Sequence, residues 1–402
     1  MPILFGSVFI IMGSFAMLLP SIMHVLANMG YSASLSTPIL AAYSVAQFLA
    51  GPQWGRLSDQ MGRKKILYGA MFLGSLAYLS MSLFGNNVIV LFVTMAWAGL
   101  CGGAMAVIVA AVADMTTTET RTKGMGMVGA SIGMAFVCGT AVGGAIAGKT
   151  TATATIVAPA TAASIACLVG ALAVFFFFKE SRKGSEEIAE NKTSKAAAPA
   201  VLAGRLDAFR KIAKHSTLLK LCLLILGFTF CLALLESIVP IYTKDLLNWG
   251  PPELGKVFVF VGIIMVVVQG GLVGPLASRF GEKKLVGTGL LLMSSGLLLL
   301  ATLPSPAYLY FSLSIAFVGA ALFTASSMSL ASHEAEDHEK GAILGVVQSM
   351  QSLGRSLGPM VAGLMYDFHQ AMPFLIGGML LLCLLFIFVR LTRQLHADDL
   401  VA

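Results

Sequence analysis

The chain has 402 residues, of which 57% are hydrophobic and only 11% charged, with a formal net charge of +7. A water-soluble fold of that make-up would expose far more apolar surface than water tolerates, so the chain belongs in a lipid bilayer. The positive charge does not point to nucleic acid, because the basic residues are scattered at the ends of apolar stretches and not gathered on one face.

Twelve apolar stretches follow one another, at 3–27, 36–56, 65–85, 88–112, 123–147, 154–178, 217–243, 254–276, 284–303, 306–331, 341–366 and 371–393. Each is long enough to cross a hydrocarbon core of about 30 Å as a helix. The first lacks a basic leader and runs on without a small-residue cleavage site, which reads as a retained helix and not a secretory signal. Cys101, Cys138, Cys167, Cys222, Cys231 and Cys383 all lie inside these spans and read as packing residues. Of the 26 Lys and Arg, all but Lys149, Lys244, Lys256 and Arg355 fall on one side of the predicted membrane or at its boundary. The positive-inside rule makes that side cytoplasmic, with both termini there.

Near the outer end of the first span His24 and Asn28 share a helix face, and in the second Tyr43 and Gln47 do the same. These polar groups are candidates to line a cavity; for His24 a hydrogen-bonded structural role competes with that of a proton carrier. Between the second and third spans stands a charged turn, Gly55 to Lys65, and nothing before Arg56 carries a formal charge. Gly55 and Gly62 permit a tight reversal and close helix approach, while Asp59 is placed to accept hydrogen bonds from Arg63 and its basic neighbours. As residues alone, Arg63, Lys64 and Lys65 also fit a plain positive-inside anchor. In the fourth span Trp97, Cys101 and Met105 form an apolar stripe that reads as core or as a binding wall. The fifth carries Gly126, Gly129, Gly133, Gly139, Gly143 and Gly144, a small-residue surface for close helix packing.

Residues 179–215 break the apolar pattern and divide the spans six and six, which sets the domains at 1–178, 179–215 and 216–402. Within this cytoplasmic linker Leu202, Leu206, Phe209 and Ile212 fall opposite Arg205, Arg210 and Lys211, the pattern of an amphipathic surface helix. In the seventh span Glu236 precedes Pro240, and in the eleventh Gln348, Gln351 and Arg355 make one polar stripe. An ion inside a membrane costs about 2.5–3.5 kcal/mol or more, so each needs a partner or a wet cavity. Glu236 reads as a proton carrier or a structural carboxylate, and Arg355 as a contact for an acidic substrate or as the partner of Glu236. Gln269 in the eighth span is a further cavity candidate. His333, Glu334, Glu336, Asp337, His338 and Glu339 gather metal-type donors but occupy a predicted turn, so no metal site is expected. No phosphate-binding loop or nucleophile elbow occurs, which argues against ATP-driven transport and against an enzyme.

The two halves repeat. Gly55, Leu57, Gly62, Lys64 and Lys65 match Gly274, Leu276, Gly281, Lys283 and Lys284 at a constant offset of 219, which also pairs Arg121 with Lys340, Gly139 with Gly358 and Gly144 with Gly363. In the second copy Ser278 replaces the acid and Glu282 the arginine.

The turn Gly55 to Lys65 resembles the signature loop of the major facilitator superfamily, G-x-L-x-D-x-x-G-R-K-x, and the stretch from Asp114 to Gly144 resembles the bacterial tetracycline and multidrug efflux proteins of that group. The resemblance implies an all-α membrane fold of 12 transmembrane helices in two pseudo-symmetric six-helix bundles, with a substrate site between them. It also implies a latch role for Gly55, Asp59, Gly62 and Arg63, and a coupling role for Glu236. The exporter glycine motif is matched by Gly139, Gly143 and Gly144 and by Gly358 with Pro359, although Thr140 stands where its first proline is expected. Met95 stands where such exporters carry a helix-four arginine. The implied function is a monomeric, proton-driven antiporter of a bacterial inner membrane, without a bound cofactor, that expels small amphipathic molecules. Two alternatives compete with it: export of an acidic metabolite or metal chelator held by Arg355, and a non-transporting receptor.

Overall fold

The computed structural model describes residues 1–116, 121–180, 216–302, 305–333 and 340–399. The predicted surface helix at 201–214 and the acidic turn at 334–339 lie outside them. The described residues form helices α1 Pro2–Asn28, α2 Ala33–Met61, α3 Arg63–Phe84, α4 Val88–Gly102, α5 Met105–Asp114, α6 Arg121–Ile146, α7 Val157–Phe177 and α8 Ser216–Leu247. There follow α9 Pro251–Val267, a π-helical turn Val268–Leu272, α10 Val273–Phe280, α11 Glu282–Leu300, α12 Pro306–His333, α13 Lys340–Phe368 and α14 Met372–Asp399.

Among the described residues eleven helical segments are long and apolar enough to cross a membrane, with α4 and α5 joined as one and α9 and α10 as another. The chain is a multi-pass membrane protein. The predicted eleventh span forms α13 but is not among the eleven, because its polar stripe and Asp367 dilute its apolar content; with it the helices number twelve. The fourth and eighth spans are each interrupted. At the first break Gly103 bends the chain where a Cβ would press on Ala50, Gly51 and Trp54 of α2. At the second, a π turn inserts an extra residue beside Gly270 and Gly271.

The chain divides into two compact units, Met1–Glu190 with Ser237–Ile263, and Asn191–Glu236 with Ile264–Ala402. In the first, α6 lies against α1 through Gly139 and Gly143: a Cβ at Gly139 would strike Gly13 and Ala16, and one at Gly143 would strike the backbone of Met17. Lipid removes the hydrophobic drive for helix association, so such close contact and hydrogen bonds between helices must hold the bundle. Ser75 and Ser164 share a bond at 3.2 Å, Ser82 and Thr161 one at 2.7 Å, and Ser14 with Cys167 one at 3.3 Å, knitting α3 and α1 to α7. Leu67, Met71, Val107, Ile108 and Val174 fill the centre between them.

The second unit repeats the device with different residues. α13 meets α8 through Gly354 and Gly358, where added Cβ atoms would strike Leu226, Thr229, Phe230 and Ala233. α11 and α12 cross through Gly289, Gly296 and Gly319, and Phe228 stacks on Phe323 with centroids 3.8 Å apart.

Candidate functional site

Two ionic centres stand out, one in each unit. In the first, α2 ends at Gly62, whose φ of +94° reverses the chain so that α3 starts at the next residue. Arg63 is thereby buried at the first position of α3. Its Nη1 lies 2.7 Å from Asp59 Oδ1 and donates to Ser58 Oγ at 2.5 Å, while its Nε donates to Asp114 Oδ2 at 3.1 Å, at the end of α5. One guanidinium therefore ties three helices, a use of several donors at once that a lysine could not reproduce.

A third carboxylate completes this centre. Glu180, just beyond α7, accepts the backbone N–H groups of Arg63 at 2.9 Å and Lys64 at 3.1 Å. Three basic residues at a helix start oppose the helix dipole, and Glu180 supplies the missing negative charge from outside the helix. A Cβ on Gly62 would press on this carboxylate, so any other residue there meets an unfavourable φ and has to displace Glu180 as well. Sequence reasoning left Glu180 and Asp114 out of the candidate set. The only signal for Glu180 was its place as the first acid after the sixth span. Gly55 lies one turn before Ser58 and accepts that hydroxyl at 2.7 Å.

In the second unit Arg355 of α13 places Nη1 3.4 Å from Glu236 Oε2 of α8. The pair is partly open, with side-chain exposures of 47% and 30%. Gln351 is one turn away on α13 and half-buried, and Gln348, a further turn on, is exposed. Gln269 is exposed in the π turn.

The remaining candidates are engaged in other work. Gln47 donates to Gly102 O at 3.3 Å and Trp54, unmarked in the sequence, donates to Leu100 O at 2.6 Å. Both satisfy carbonyls that the break between α4 and α5 takes out of regular helix bonding. Tyr43 is buried and stacks on Phe15 at 4.1 Å, with its hydroxyl against Gly102 and no hydrogen-bond partner. His24 is fully buried and donates from Nε2 to Trp249 O at 2.8 Å, while Asn28 donates to Thr151 O at 2.6 Å, so this face of α1 holds two turns in place. Thr140, in the place of the expected proline, turns its hydroxyl back to Phe136 O at 2.7 Å inside its own helix. Gly144 lies against Gly255 and Pro251 of α9, and Met95 is buried. Pro359 is buried inside α13, next to Gly358. No group of three or more His, Cys, Asp or Glu fit for a metal exists among the described residues.

Comparison with known proteins places this geometry in context. The family model described as Major Facilitator Superfamily matches residues 4–273 and 270–399. The chain is 26% identical over 383 residues to multidrug resistance protein 2 of Bacillus subtilis, covering 94% of this chain and 92% of that one. It is 25% identical over 333 residues to the class B tetracycline resistance protein of Escherichia coli, covering 82% and 78%. Among solved structures, the human organic anion transporter superposes with a TM-score of 0.70 at 21% identity, covering 96% of this chain and 98% of that one.

Proposed function

Since the chain belongs to the major facilitator superfamily of membrane transporters, we propose that it is a proton-coupled exporter of small amphipathic molecules that works by alternating access. The observation that carries this reading is the Glu236–Arg355 pair, set within a transmembrane span of α8 and on α13. An acid and a base at membrane depth stabilise one another only while both are ionised. Proton entry neutralises Glu236 and releases Arg355; proton loss restores the pair. A carboxylate that alternates in this way between the two sides exchanges a proton for a substrate that uses the same opening.

The kinship with multidrug and tetracycline resistance proteins supports small amphipathic cargo and the outward direction. The first half, 1–178, and the second, 216–402, are read as homologous bundles joined by the linker 179–215, supported by the matched glycine reversals at Gly62 and Gly281. The distribution of Lys and Arg supports an inner membrane setting with both termini cytoplasmic. Gln348 and Gln351 beside Arg355 supply polar contacts to the cargo. Because Arg355 is engaged by Glu236, the geometry does not favour an acidic cargo held by Arg355.

The test is substrate-driven proton movement in vesicles of reversed orientation. Glu236→Gln is expected to abolish proton movement while leaving substrate binding measurable by thermal stabilisation. Unchanged proton coupling in that variant would overturn the role of Glu236.

A further inference from the structure

We propose that the basic ends of α3 and α7 form a binding site for an anionic phospholipid. Three consecutive phenylalanines end α7, Phe175, Phe176 and Phe177, and they are 50%, 68% and 73% exposed. Phe175 does not stand alone. Its ring lies 5.3 Å from that of Tyr68 on α3 and edge-on to Phe176 at 5.1 Å, and Lys64 Nζ sits 5.8 Å from its centroid. Arg279 lies over neighbouring Phe280 and Arg390 over Phe386 one turn away, so among the described residues only Lys64 makes a cation–aromatic contact between two helices.

The charges at this end are unequally shared. Asp59 and Asp114 are taken by Arg63, and the Glu180 carboxylate is turned into the backbone of α3. Among the described residues no carboxylate pairs with the side chains of Lys64, Lys65 or Lys179. Lys64 thus lies over an aromatic shelf, with Lys65 next to it on α3 and Lys179 two residues beyond Phe177, at helix ends of the kind where aromatic rings meet headgroups in membrane proteins. Away from that end the exposed side chains of Phe72, Leu168 and Leu172 continue the apolar surface. From Phe175 back to Leu168 a helix covers about 10 Å, a length suited to the upper part of an acyl chain. A ligand that satisfies both parts carries a phosphate and a hydrocarbon tail, which is the chemistry of a phospholipid. A net negative headgroup matches the unpaired lysines.

The molecule contains its own control. Lys283 and Lys284 occupy the places of Lys64 and Lys65 in the second copy, but at the same offset Gln394 and Leu395 stand where Phe175 and Phe176 are. The second copy has the charge without the shelf.

Titration of the purified full chain in neutral detergent, followed by native mass spectrometry, tests the site. Phosphatidylglycerol is expected to bind more tightly than phosphatidylcholine, and Lys64→Gln with Lys179→Gln to remove that preference at about fivefold per lysine. Lys283→Gln with Lys284→Gln is expected to leave it unchanged. Lys179→Gln alone, which leaves α3 untouched, gives a readout about fivefold below wild type if the double variant does not fold. Equal binding of the two lipids would overturn the proposal, as would an unchanged preference in the Lys64 and Lys179 variants. Displacement of phosphatidylglycerol by millimolar inorganic phosphate would also overturn it, since the site would then be one for a free anion.

Discussion

At Gly62 and again at Gly281 the chain reverses with φ of +94° and +81°, closes the preceding helix with a bond from the glycine N–H to the residue four back, and starts a new helix at the next residue. The backbone is the same; the chemistry laid on it is opposite. Arg63 begins α3 and pairs with Asp59 and Asp114, while Glu180 accepts the backbone N–H groups of Arg63 and Lys64. Glu282 begins α11, favours the helix dipole by itself, and accepts the hydroxyl of Ser329 on α12. Ser278, in the place of Asp59, turns its hydroxyl back to Pro275 O at 2.9 Å. A duplicated loop has thus kept its fold, while the described contacts between helices differ: ion pairs of Arg63 with Asp59 and Asp114 at the first copy, a hydroxyl–carboxylate bond of Ser329 to Glu282 at the second. Reversal depends on backbone geometry, which glycine alone secures; a junction depends on side chains that must change together.

This difference is open to direct attack. The largest effect is expected from Arg63→Ala, which removes the buried cation that Asp59, Ser58 and Asp114 share. A loss of about 3 kcal/mol is expected from these charge-assisted bonds, read as a lowered midpoint in thermal unfolding of the detergent-purified protein, with transport falling in parallel. Gly62→Ala should come next, at about 2 kcal/mol, since it combines an unfavourable φ with eviction of Glu180. Gly281→Ala meets the same φ penalty but nothing within 4 Å of the added Cβ, so a loss nearer 1 kcal/mol is expected on the same unfolding assay. If the two glycine variants unfold alike, Glu180 is not contributing at Gly62. The smallest effect, about 0.5 kcal/mol or less, belongs to Ser278→Ala, which removes an exposed bond to Pro275 O within its own helix; there the informative reading is transport rate, expected to stay close to wild type.

The packing glycines teach a related lesson. Gly139 and Gly358, matched by the offset, both let one helix settle closely on another, α6 on α1 and α13 on α8. Gly144, in contrast, lies against Gly255 and Pro251 of α9. A periodic stripe of small residues in the sequence announces close packing but not the partner, because any helix with a matching groove satisfies it.

The candidate polar residues sorted themselves in a similar way. Glu236 and Arg355 are 119 residues apart, and their meeting at 3.4 Å follows from the packing of α13 on α8 through Gly354 and Gly358. Gln47 and His24 looked equally available in the sequence. In the fold one serves the Gly102 carbonyl and the other the Trp249 carbonyl, because backbone groups freed at a helix break or in a turn compete for any donor within reach. Trp54 and Glu180 went unnoticed for the converse reason: neither belongs to a recognisable pattern, and each matters only through a backbone group brought to it from elsewhere in the chain.

The amino-acid sequence by itself determined the membrane location, the succession of apolar helices, the internal duplication and the reversal at each glycine. These rest on composition, on helix length against bilayer thickness and on local backbone freedom, all of which are properties of contiguous residues. Only the tertiary structure decided which carboxylates Arg63 gathers, that Glu236 meets Arg355, and that Lys64 lies over Phe175. Those are contacts between helices, and inside a membrane their partners are chosen by interlocking surfaces and the need to satisfy every buried charge, which no single stretch of chain can specify.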